Sequence, residues 1–100
     1  MGDERTLKIM TKKRTRLEII RDILTVIKSR NGKIKPTHIL YRSNLSHQML
    51  DEYLSELKGK EFILELQDNN SKTYAITDKG LRYLQQYAMI ANFTDTFGLG

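Results

Sequence analysis

The stretch SNLSHQMLDEYLSELKGKEFI, Ser43 to Ile63, decides how the rest of the chain is read. Leu50, Leu54 and Leu57 recur at spacings of four and three, the period of one helix face, with Leu45 and Tyr53 beside it. Ser46 stands one residue ahead of the first turn, with a hydroxyl suited to capping it. The spacing predicts a helix over 46–58. That helix carries Asp51, Glu52 and Glu56 against Lys58 alone. What it faces is therefore the question the sequence poses.

Upstream, Ser43-Asn44 makes a tight polar turn, and THILYRS (37–43) predicts a short helix with Ile39 and Leu40 inward. Pro36 suits the first turn of that helix, where a missing N–H costs nothing. Thr15-Arg16-Leu17-Glu18 is a capping box. Leu17, Ile20, Leu24 and Ile27 follow it at helical spacing, widened by Ile19, Ile23 and Val26. This predicts an amphipathic helix from about Arg16 to Arg30, ended by Asn31-Gly32.

Downstream, the period changes. FILELQ (62–67) and KTYAI (72–76) predict two strands, and DNNS between them is turn chemistry. Thr77-Asp78 opens a last helix with Leu81, Leu84, Ala88 and Ala91 on its inner stripe. It is expected to end near Asn92, leaving 93–100 as a flexible tail, with 1–12 as a basic flexible arm and 13–92 as the domain. The order is helix, helix, turn, helix, hairpin, helix. It predicts an α+β fold, a winged helix-turn-helix: a three-helix core, a two-stranded β-hairpin wing and a C-terminal helix.

From Thr15 to Tyr87 the chain resembles the small archaeal winged helix-turn-helix family that includes transcription regulators and a dimeric nucleoid protein. The matching pieces are RLEIIRDIL, THILYRSNLS, YLSEL, YAITDKG and YLQQY, of which THILYRSNLS is the most specific. The resemblance implies duplex DNA binding, as a dimer joined through the last helix. Nucleoid-type members extend that helix into a long coiled coil, whereas the helix expected here spans roughly four turns.

Charge placement agrees with a polyanionic partner. Residues 1–42 hold 12 Lys/Arg and 4 Asp/Glu, a net +8, whereas residues 43–100 hold 5 and 8, a net −3. A basic first half points to nucleic acid, or more blandly to solubility. One hundred residues make one domain, without cysteine for disulfides or thiolate metal sites. No apolar run approaches the ~18 residues of a membrane span, and MGDERTLKIM has no signal-peptide core. A cytoplasmic, nucleoid-associated protein is expected.

In this geometry the amino end of the third helix approaches base edges. Ser46, His47 and Gln48 occupy it, Gln48 being suited to adenine. Tyr41, Asn44 and Ser55 are placed on the same interface, with Thr37 at the start of the second helix. Phosphate contacts are assigned to Lys12, Lys13, Arg14 and Arg16 before helix one, to Lys33 and Lys35 in the loop, to Arg42 beside the turn, and to Lys72 on the wing. Arg42 has a surface alternative in Asp51 or Glu52. A second reading makes the domain a protein-interaction module that uses the acidic third helix. Leu81, Tyr83, Leu84, Tyr87 and Ile90 on the last helix serve either the core or a homodimer. His38 and His47, nine residues apart and without cysteine partners, do not form a metal site. Nothing resembles a catalytic dyad or a phosphate loop. No cofactor and no enzymatic activity are expected.

Overall fold

The computed structural model describes residues 14–98. The elements are α1 (Arg16–Ser29), α2 (Pro36–Ser43), α3 (His47–Gly59), β1 (Ile63–Asp68), β2 (Ser71–Ile76) and α4 (Asp78–Thr96). This is the expected α+β winged helix-turn-helix.

The predicted caps are present. The Thr15 hydroxyl accepts from Glu18 N, and the Glu18 carboxylate accepts from Thr15 N, closing both halves of the capping box. Ser46 accepts from Met49 N, and Thr77 from Gly80 N. Asn44 ends α2 in the left-handed region at φ 55°, which an asparagine tolerates. The turn between the two helices is thus set by Asn44, while Ser43, expected in the turn, is the buried last residue of α2.

β1 and β2 pair antiparallel, with Ile63 opposite Ile76, Glu65 opposite Tyr74 and Gln67 opposite Lys72. Asn69 at the tip takes φ 57°. Ile34 adds a bridge to Tyr74, so the α1–α2 loop lies along the free edge of β2. The Asn31 side-chain oxygen accepts from Ile76 N, and Gly32 N donates to Tyr74 O. Asn31-Gly32 therefore does more than end α1: it fastens the end of that helix to the sheet.

Ile23, Leu24, Ile27, Ile34 and Ile39 are fully buried and pack with Leu50, Leu54, Leu57, Ile63, Tyr74 and Ile76. Two expectations are corrected. Leu17 is 58 % exposed rather than core. Its carbonyl is what meets α4, accepting from the Tyr83 hydroxyl at 2.9 Å, while its side chain lies with Ile90 in an open groove. The last helix runs on to Thr96, past Asn92. Nothing from Leu81 to Thr96 breaks a helix, and the Phe93 and Phe97 rings pack at 4.8 Å across its final turn. It stops where Gly98 takes φ 70°.

Candidate nucleic-acid interface

The acidic helix resolves into separate cases. Glu56 accepts from both Arg16 and Lys60, and these contacts hold its carboxyl below the usual carboxylate range. The same guanidinium sits 5.5 Å from the Tyr53 ring centroid. Glu56 is thus a tie between the start of α1 and the end of α3. Glu52 accepts from Gln48 at 3.4 Å. Asp51 lies in a groove between α3 and the wing, shared with Ser55, Lys58, Glu65, Lys72 and Tyr74. There Lys58 donates to Glu65 at 3.1 Å and depresses its pKa, and burial raises that of Tyr74.

The basic residues divide in the same way. Arg14 donates to Asp22 at 2.7 Å and to the Asn44 carbonyl at 3.2 Å. Asp22 also accepts from Arg21, whose guanidinium stacks 5.0 Å from the Tyr87 ring centroid. Arg14 and Arg16, read from sequence as phosphate ligands, are therefore engaged in internal pairs. Lys12 and Lys13 lie outside the described residues. Lys33 and Lys35 flank the bridge residue Ile34 and are exposed. Among the described residues, neither they nor Arg30, Arg42 and Lys72 form an ion pair. The suggested pairing of Arg42 with Asp51 or Glu52 is not formed.

At the amino end of α3, His47 and Gln48 are exposed and the Ser46 hydroxyl is occupied as a cap acceptor. Thr37, Tyr41, Asn44 and Ser55 are also exposed, Tyr41 by 85 %. The structure brings Ser55 and Lys72 into one groove between α3 and the wing, and Tyr41 and Arg42 into a separate cleft on α2. Two residues near these positions were not singled out as binding residues by the sequence reading. Arg30 and His38 join Tyr41 and Arg42 around one cleft over Ile34. The 38, 41, 42 spacing was the available signal, since residues three and four apart share a helix face.

On α4, Leu81, Tyr83 and Leu84 are partly buried against the core, and Tyr83 meets Phe62 edge-on at 5.9 Å. Met89, Ile90, Phe93 and Phe97 remain about 60 % exposed, at 63, 63, 60 and 63 %. At 100° per residue these four form a stripe nearly opposite the inner one. No group of three or more metal-ligating side chains occurs among the described residues, and no described helix is long and apolar enough to cross a membrane.

A short second helix, a turn fixed by Asn44, a third helix presenting its amino end and a hairpin beside it define a winged helix-turn-helix. Residues 13–95 match that family, and the chain belongs to it. Among solved structures it is similar to Sso10a-2, a DNA-binding protein from Sulfolobus solfataricus, with TM-score 0.69 and 23 % identity over 84 % of this chain and 85 % of that one. It is also similar to the PcaV transcriptional regulator from Streptomyces coelicolor, with TM-score 0.69 and 19 % identity over 79 % of this chain and 60 % of that one. AF1382 from Archaeoglobus fulgidus follows, with TM-score 0.65 and 17 % identity over 80 % of this chain and 90 % of that one. No curated protein matches.

Proposed function

We propose that this protein binds duplex DNA as a small transcription regulator or chromatin-associated protein, and that two copies join through α4. The observation that carries the reading is the division of charges. Of the α3 carboxylates, Glu56 is ion-paired within the protein by Arg16 and Lys60, Glu52 accepts, among the described residues, only from the neutral Gln48 amide, and Asp51 lies in the groove towards the wing. Cations at the α1–α2 corner stay outside ion pairs among the described residues. Phosphates then meet Lys33, Lys35, Arg42 and Lys72, while His47 and Gln48 face base edges. Sso10a-2, which shares this fold, is a DNA-binding protein, and that favours the same reading. The protein-interaction alternative uses an acidic surface that the Arg16–Glu56 tie reduces to the exposed Asp51 and Glu52.

The dimer rests on Met89, Ile90, Phe93 and Phe97, with Leu17 beside Ile90. A second copy would cover this contiguous apolar stripe across a two-fold axis.

The interface is tested by NMR, titrating the isotope-labelled protein with a short duplex. Amide shifts concentrated at 33–48 and around Lys72 support the proposal. Shifts confined to the α4 stripe, or none at millimolar duplex in low salt, overturn it.

A further inference from the structure

The sequence pattern puts part of the phosphate grip on the residues before α1, and Arg14 and Arg16 there are internally paired. A second group of cations lies at the opposite end of α1. Arg30, Ile34, His38, Tyr41 and Arg42 line a single cleft of about 140 Å³. Its floor is the fully buried Ile34, and no carboxylate lines it. Arg30 caps α1, its backbone N–H bonded to Ile27 O and its carbonyl accepting from Lys33 N at 2.8 Å, so its position is set by two turns. His38, Tyr41 and Arg42 project from one face of α2.

We propose that this cleft is a seat for one phosphate group of the DNA backbone, held by Arg30 and Arg42 with His38 and the Tyr41 hydroxyl as further donors. This rests on the duplex-binding reading above and adds Arg30 and His38 to it. Three considerations set the ligand class. Two guanidiniums and an imidazole without a lining carboxylate select an anion, and guanidinium geometry matches phosphate oxygens. The volume suits one phosphate group rather than a whole small-molecule ligand, whose pockets begin near ~300 Å³. The cleft also lies on α2, which leads through Asn44 directly into α3, the helix that carries Gln48.

The test compares wild type with the double variant Arg30→Ala/His38→Ala by fluorescence anisotropy on duplex DNA across a salt series. Both side chains are exposed, and circular dichroism checks that the variant folds. Losing one phosphate contact should lower the slope of log K against log salt by about one. Affinity should fall on the order of tenfold, equally for all sequences. Arg30→Lys, which keeps the charge but not the guanidinium fork, should keep the wild-type salt slope while losing part of the affinity. If wild type binds duplex and the double variant keeps the same slope and affinity, the seat is wrong while DNA binding stands. If wild type binds no duplex, the functional reading itself fails. A second arm follows the His38 imidazole signals with inorganic phosphate, a mononucleotide and duplex. The proposal requires the duplex to shift them at the lowest concentration. Saturation by a mononucleotide with no response to duplex would make this a free-ligand site and overturn the proposal.

Discussion

The Arg16 guanidinium closes on the Glu56 carboxylate and lies over the Tyr53 ring, binding the first turn of α1 to the last turns of α3. A residue that looked like a phosphate ligand is thereby also a fastening of α3. A carboxylate that looked like an obstacle to DNA is its counterpart.

This pair has a pH signature. Glu56 titrates below its ordinary value of 4.5, first because Arg16 donates to it and then because Lys60 does. A carboxyl depressed in the folded state contributes stability that is present above the unfolded pKa and is lost as pH falls through the folded one. Wild type should therefore be more stable than Glu56→Gln near neutral pH. The gap should shrink below about pH 4.5 and close in stronger acid. Urea melts at several pH values check this; a gap that persists unchanged in acid contradicts it.

Gly80 in the first turn of α4 should not accept a side chain. A Cβ there would stand 2.5 Å from the Phe62 carbonyl oxygen and 2.6 Å from Ile76 Cγ1. The carbonyl belongs to backbone held by the Thr77 N–H at 3.1 Å, so it cannot easily yield. Gly80→Ala should cost about 2–3 kcal/mol, the upper part of the range for overpacking, despite alanine's better helix propensity. Denaturant melts should show a lower midpoint with an unchanged slope. A gain in stability would contradict this.

Ser43 is an opposite case. It is 1 % exposed, and its hydroxyl has no hydrogen-bond partner among the described residues. Removing an unpaired buried hydroxyl while keeping the Cβ should be neutral to stabilising, by up to about 1 kcal/mol. Thermal melts of Ser43→Ala test this, and a clear loss of stability would show that the hydroxyl is in fact paired.

Much of the fold was legible because its signals are local. The Thr15–Glu18 capping box, Pro36, Asn44, Ser46 and Thr77 each act within a few residues, and each appears where the spacing put it. The end of α4 was missed because Phe93 and Phe97 continue a stripe facing away from the core, which inner-face spacing does not register. The site was harder to read. Arg16 meets Glu56 across 40 residues, and Arg14 reaches the Asn44 carbonyl across 30. Such pairings depend on tertiary packing, and no local pattern announces which cations they leave unpaired.

The apolar stripe of α4 predicts an association state. Ile90→Asp/Phe93→Asp places two charges where Met89 and Phe97 flank them, far from the core residues. Sedimentation should show wild type as a dimer and the variant as a monomer with unchanged helical content. A wild type that stays monomeric at high micromolar concentration would remove the dimer from the account.

Under the proposed function, unpaired cations and the amino end of α3 hold duplex DNA. The most direct measurement is fluorescence anisotropy of a labelled random-sequence duplex, titrated at low and near-physiological salt. Micromolar or tighter binding at low salt is expected, weakening steeply with salt at a log–log slope of about −0.9 per phosphate contacted. Absence of binding at low salt would contradict the claim and turn the acidic face of α3 towards a protein partner.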